Sequence, residues 1–240
     1  MESHSFSDMA GLEAHNWWYV SRRRLLERLL NRYGAPDGIA LDLGCGVGSH
    51  FSLLERHAKE CIGLDISAEA LQYAKRCSYT QLLEGSVEKI PLPNSSISIV
   101  LCADVLEHVD DAQTLKEIFR VLKPGGMLYV TVPAFQSLWH ENDDYSHHMR
   151  RYARHELHER VVQTGFTVMY FNFWNLTFFL PVWCTARMYH KKEGHLQNNL
   201  TRVPRFLNGI LTVWMHAENF VGSRFPLPIG VSQVLVAQKP

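Results

Sequence analysis

Two carboxylates, each closing an apolar run, have the spacing in this chain that most directly implies chemistry. Ile39-Ala-Leu-Asp-Leu-Gly-Cys-Gly-Val-Gly-Ser49 passes from apolar residues through Asp42 into glycines at 44, 46 and 48. A buried parallel strand followed by a tight turn reads this way. Glycine permits both positive φ and close backbone approach, and a following helix would aim its first amides at a ligand. Asp42, two residues before the first glycine, is suited to holding an ammonium group. A second apolar segment, Cys61-Ile-Gly-Leu64, ends in Asp65. A carboxylate there can accept from ribose hydroxyls. It can also cap the next helix, as can Ser67. The G-x-G-x-G spacing differs from the G-x-G-x-x-G of nicotinamide and flavin folds. A second concentration of ionisable groups lies at Trp139-His-Glu-Asn-Asp-Asp-Tyr-Ser-His-His-Met-Arg-Arg-Tyr152.

The elements that must position these groups follow from periodicity. Leu25, Leu26, Leu29 and Leu30 predict a helix over 14–33, ended by Gly34 to Gly38. Strands then alternate with helices: strand 39–43, helix 47–57, strand 60–64, helix 67–77, strands 80–84 and 97–102, helix 111–122, strand 126–132. That alternation implies right-handed βαβ crossovers and a parallel sheet covered on both faces. Asp110 and Gln113 predict a capping box for the helix at 111–122, and Pro124-Gly125-Gly126 a turn into the fifth strand. A helix over 154–164, a strand over 166–173 and a last strand over 231–238 follow. With 24 Lys plus Arg against 24 Asp plus Glu, the chain offers no broad basic face for nucleic acid. Five separated cysteines without C-x-x-C read as reduced thiols of a cytoplasmic protein. Met1 to Ala10 has no apolar core of a secretory signal.

The ordered series of motifs resembles the class I S-adenosylmethionine (SAM)-dependent methyltransferases, in particular the type-11-like group. It comprises the 39–49 turn, Asp65, Leu83-Glu-Gly-Ser-Val87, Ile97 through Val109, and Leu115 through Val130. The resemblance is strongest over residues 38 to 135. It implies a Rossmann-like seven-stranded α/β sheet, mostly parallel with an antiparallel last strand at the edge, and a helical insertion before that strand. The layout expected is one domain, with a helical cap over 1–37, the core over 38–173, the insertion over 174–229 and the final strand over 230–240. It further implies SAM as cofactor. Asp42 and the backbone of Gly44, Cys45 and Gly46 would hold its amino-acid portion, Asp65 its ribose, and Ile66 its adenine. Ser86 and Val87 would lie at the adenine edge, with Ser86 where many relatives carry aspartate. Asp104 would face the methionine portion or the acceptor. Asn16-Trp-Trp-Tyr-Val-Ser-Arg-Arg23 looks like a family element in which Tyr19 covers the cofactor and Arg22 pairs with its carboxylate. The competing reading of that element is an amphipathic helix packed on the sheet.

His148-Met-Arg150-Arg151-Tyr152 resembles a His-x-Arg-Arg-Tyr element of one branch. It implies a general base at His148, with Asp143 or Asp144 orienting its ring. Arg150 and Arg151 would pair with an anionic group on the acceptor, beside Tyr152. His108 is a second candidate base. The plain alternative is a solvated loop whose charges balance one another. No metal is expected. Residues 165–186 carry no charge and many aromatics. A helix at 176–190 ending in Arg187, His190, Lys191 and Lys192, and a second at 204–221, read as a lid, a packing pair or a peripheral membrane contact through 174–222. The acceptor expected is a small or lipid-linked molecule, methylated at oxygen. The alternative is a catalytically silent partner subunit on the same fold. The sequence leaves the oligomeric state open. Nicotinamide oxidation is disfavoured by the glycine spacing. Nucleic-acid methylation is disfavoured by Asp104-Val-Leu-Glu107, which stands where an Asn-Pro-Pro-Tyr-type tetrapeptide would.

Overall fold

The sheet of the computed structural model, which describes residues 6–35, 37–189 and 203–240, brings both carboxylate segments to one edge. Its strands are β1 (Ile39–Leu43), β2 (Glu60–Asp65), β3 (Gln81–Glu84), β4 (Ile97–Ala103), β5 (Leu122–Pro133), β6 (Thr167–Trp174) and β7 (Ser232–Gln238). They lie in the order β3-β2-β1-β4-β5-β7-β6. The first five are parallel, whereas β7 runs antiparallel to both β5 and β6. The sequence expectation that the last strand lies at the sheet edge is corrected: β7 is interior and β6 is the edge. The cause is its composition. Val231 and Val234-Leu-Val-Ala237 are buried, and a strand buried on both faces needs a neighbour on each side.

Alternation along the strands sends residues to two cores. Leu41 and Leu43 pack on one face with Leu115, Ile118, Leu157 and Val161. These come from α5 (Asp111–Val121) and α7 (Glu156–Gln163). Ala40, Ile99 and Tyr129 pack on the other with Leu25, Leu26, Leu29 and Leu30 of α2 (Trp17–Tyr33). Each buried leucine contributes roughly 1.5–3 kcal/mol. The helix expected over 14–33 is two: α1 (Phe6–His15) ends before Asn16. The Asn16 side chain accepts from the Trp18 amide and restarts the chain as α2, the role for which asparagine is favoured.

The helix expected over 47–57 contracts to one turn, α3 (Phe51–Leu54), because glycines 44, 46 and 48 all hold positive φ. Ser67, not Asp65, caps α4 (Ala68–Ala74) by accepting from the Ala70 amide. Asp110 caps α5 as expected, but Glu88 takes the reciprocal bond from the Asp110 amide. A short α6 (Glu141–Tyr145) follows β5. In the insertion, α8 (Phe179–Met188) buries none of its residues. In contrast, α9 (Arg205–Gly222) is docked on α2. Asn208 accepts from the Trp17 amide, and Asn219 donates to the Ser21 carbonyl. The expected helix end at His190, Lys191 and Lys192 lies outside the described residues.

Candidate active site

The carboxyl edge of β1 and β2 carries an open, backbone-built cradle. Gly44, Gly46 and Gly48 have φ of +73°, +52° and +86°. A Cβ on Gly44 would meet Val105 at 2.6 Å, whereas one on Gly46 would meet nothing within 4 Å. Gly46 therefore borders free space. Asp42 is buried, and its Oδ2 accepts from the Tyr79 hydroxyl at 2.5 Å. Burial next to Asp42 pushes the Tyr79 phenol far up, so it stays a donor. Sequence reading missed Tyr79, an aromatic just ahead of β3 with no local signal of its role. The Asp65 carboxylate accepts from the Gly46 and Ser67 amides, both at 2.8 Å. It thereby fixes the two loops against each other. Ile66 beside it is 76% exposed, an unusual state for a large aliphatic residue at a strand end. Val87 is buried, and the Ser86 hydroxyl accepts from the Glu88 amide, which holds that loop closed on itself. Burial also pushes the Cys45 thiol far above its ordinary value.

At the end of β4 the chain changes character. Asp104 sits at a φ of +56°, a conformation costly for a residue other than glycine. Its carboxylate accepts from Thr131 Oγ1 at 2.8 Å and is ion-paired with buried Arg22. Arg22 in turn lies 5.4 Å from the centre of the Tyr19 ring. Tyr19 and Arg22 thus reach the sheet edge from α2, and the arginine is already paired within the chain.

The 139–152 segment is built around a buried carboxylate. Asp143 is fully buried. It accepts from Arg151 Nε at 2.8 Å and Nη2 at 2.9 Å, and its Oδ1 lies 2.8 Å from His148 Nδ1. Burial alone would raise this carboxyl, yet bonds from His140, His148 and Arg151 hold it well below the ordinary range. An ionised Asp143 can only accept, so Nδ1 is the donor of this pair, and in the neutral imidazole Nε2 is the acceptor. Asp144 instead accepts from the Tyr189 hydroxyl.

The three residues expected to bind the acceptor also have partners within the chain. Arg151 is buried and spent on Asp143 and the Ala134 carbonyl. Tyr152 has no exposure and donates to Asp111 and the Leu106 carbonyl. Arg150 is paired with Asp111 and Glu156. These are scaffold contacts, because a charged side chain this close to the core has to find its partners inside the chain.

The structure adds Glu107, to which sequence reading gave no role. It is fully buried, and neither carboxylate oxygen has a hydrogen-bond partner among the described residues. Burial pushes this carboxyl up to about 8. Its Oε1 is 3.9 Å from His148 Nε2. His108 packs edge-on to His148, with ring centres 4.8 Å apart, and burial with that neighbour pulls its imidazole down to about 4. His108, Arg150 and Arg151 line an open groove with Gln136 and Met149.

Residues 41–130 match the family profile of the methyltransferase domain. That span takes in Asp42, the glycine cradle, Asp65 and Asp104. Over this span the chain carries a SAM-dependent methyltransferase domain of the type-11 family. It is 34% identical over 125 residues to a Mycolicibacterium smegmatis protein named as an S-adenosylmethionine-dependent methyltransferase, covering 51% of this chain and 48% of the relative. It is 37% identical over 116 residues to the malonyl-acyl-carrier-protein O-methyltransferase of Pectobacterium atrosepticum, covering 47% and 46%. The chain thus spans about half the length of these relatives. In three dimensions it resembles a chain from the Haloferax volcanii complex of the Trm112 methyltransferase activator with a methyltransferase. The TM-score is 0.63 at 21% identity, covering 98% of this chain and 94% of that one. SAM is the cofactor of this methyltransferase family, and the residues present fit it. Buried Asp42 lies two residues before the first glycine of the turn, Gly46 leaves open space where a Cβ would sit, and exposed Ile66 leaves an aliphatic side chain free for apolar contact.

Proposed function

We propose that this chain transfers the methyl group of SAM to an oxygen of a small or lipid-linked acceptor. SAM supplies a methyl on a sulfonium, and the protein must align an acceptor oxygen behind it and remove its proton. Asp42 and the Gly44–Gly46 backbone hold the amino-acid end, Asp65 the ribose, and Ile66 and Val87 the adenine. Tyr19, Arg22 and Asp104 stand where the cofactor site gives way to the acceptor site. Arg151 acts through Asp143, and Asp143 orients His148, so that Nε2 accepts the acceptor's proton. The observation that carries the oxygen assignment is this Arg151–Asp143–His148 relay. A hydroxyl needs such a proton acceptor, whereas a neutral amine, or a carboxylate already ionised at neutral pH, does not.

Two further points support an apolar or lipid-linked acceptor. One named relative methylates an acyl-carrier conjugate at oxygen. In addition, α8 and α9 expose Leu180, Met188, Phe206, Ile210, Val213 and Trp214. No helix of the described residues is long and apolar enough to cross a membrane. The experiment is to incubate the protein with carbon-13-methyl SAM and separated lipid and aqueous extracts. The expected product shows a methoxy-type resonance in the lipid fraction, absent for His148→Ala. A product resonance of the N-methyl or C-methyl type would overturn the oxygen assignment, and label confined to the aqueous fraction would overturn the lipid-linked one.

A further inference from the structure

We propose that Glu107, His108 and His148 form a binding site for a divalent first-row transition cation. One donor atom from each lies within 4.8 Å of the other two. A tetrahedral ion with bonds of about 2.1 Å sets its donors about 3.4 Å apart. Closing the cluster around an ion therefore takes only small side-chain rotations.

The decisive observation is Glu107. It has no solvent exposure, and neither of its oxygens has a hydrogen-bond partner among the described residues. A buried carboxylate without partners is costly. The nearest guanidinium groups are each committed elsewhere, Arg22 to Asp104 and Arg151 to Asp143. A cation between Glu107 and the two imidazoles would give the carboxylate a ligating partner and offset its charge.

The surroundings are those of a metal ligand. His148 bonds through Nδ1 to Asp143 and presents Nε2 towards Glu107. A carboxylate on the far nitrogen of a ligating histidine fixes its tautomer and raises its basicity. Arg151 then holds that carboxylate from behind. Two imidazoles and one carboxylate favour zinc, cobalt or iron over magnesium or calcium, which prefer oxygen donors. Three protein donors leave coordination positions open. His108 lines the groove, so an ion would offer those positions to oxygen donors entering there. The site is argued from side-chain geometry and does not depend on the methyl-transfer reading. With an ion bound, His148 would be a ligand rather than a free base, so turnover cannot tell the two roles apart.

The test is binding of the metal itself. The full chain, stripped by chelator dialysis, is titrated with Zn2+ by calorimetry and with Co2+ by visible absorption, with Mg2+ as comparison. One equivalent of Zn2+ and a Co2+ spectrum with ligand-field bands are expected. Affinity should fall roughly tenfold or more in Glu107→Gln, His108→Ala and His148→Ala. The control His147→Asn changes an exposed neighbour at positive φ, which asparagine tolerates, and should bind as the parent does. A thermal shift with S-adenosylhomocysteine on each variant reports folding and the cofactor site independently. If a variant gives no such shift, the remaining ligand variants carry the comparison. No stoichiometric binding, or binding unchanged in folded His108→Ala and His148→Ala, would overturn the proposal. Loss of the S-adenosylhomocysteine shift in the parent protein would instead count against the cofactor reading and leave the metal site standing.

Discussion

The two halves of the sheet edge solve opposite problems. The side after β1 and β2 is opened by omission. Glycines remove side chains, Ile66 is left bare, and Asp65 ties two loops together through backbone amides. The side after β4 and β5 is packed with charge. Asp143, Arg151, Glu107 and Tyr152 are all buried, and Asp111 joins Arg150, Arg160 and Tyr152 in one cluster. A change on the first side should therefore cost ligand affinity with little stability. A change on the second should cost stability with little effect on the cofactor.

The largest effect expected is from Asp143→Ala. It strips a buried guanidinium of its partner, which costs about 3–5 kcal/mol, or a Tm fall of roughly 10 °C for a chain of this length. SAM affinity of the folded fraction should be unchanged. A Tm fall of only a degree or two would mean that Arg151 reaches water and that this half is not the packed one. Next is Gly46→Ala. Positive φ costs an L residue about 1–2 kcal/mol, but the new methyl enters the space kept free for ligand. SAM affinity should fall about tenfold, measured by calorimetry, and equal binding would show that the space is not the cofactor's.

Smaller still, Ser86→Asp places a carboxylate where many relatives carry one. It should tighten SAM binding several-fold, as expected for one added hydrogen bond of about 1 kcal/mol, and weaker binding would count against this loop as the adenine edge. The smallest effect concerns the brace beneath that loop. Glu117 accepts from Arg120 and the Ile90 amide, and the Arg120 bond lowers its carboxyl below the ordinary value. A carboxyl lowered in the folded state contributes stability above its unfolded pKa, and loses it as pH falls through the folded one. Glu117→Gln should thus cost about 1 kcal/mol at neutral pH. The gap should close as denaturation is followed below about pH 4, and a gap that persists there would rule out the ionised bond as its source.

The same contrast explains what the sequence disclosed. The β1 and β2 turns were readable because their determinants are local: apolar runs, a carboxylate and glycines at fixed offsets. The five parallel strands were readable for the same reason. The interior place of β7 was not, since it depends on which strand fills the gap beside β5. Nor was the break at Asn16, because the leucine stripe continues past it and only cap geometry reveals it. In the packed half, His148 was legible as a candidate and Asp143 as its partner. The inward turn of Arg151 and Tyr152 was not, because arginine and tyrosine suit an acceptor site and a buried network equally well. Tyr79 and Glu107 act on residues far away in the chain, and nothing in their neighbours marks them.

The most direct test of the SAM assignment is a thermal-shift titration with SAM and S-adenosylhomocysteine, with NAD as control and Asp65→Ala beside the parent chain. Ligand at about 100 times its Kd stabilises by roughly 2.7 kcal/mol, a rise of around 5–10 °C here. A rise with the SAM pair alone, lost in Asp65→Ala, is the predicted result. No rise with either, or an equal rise with NAD, would contradict it.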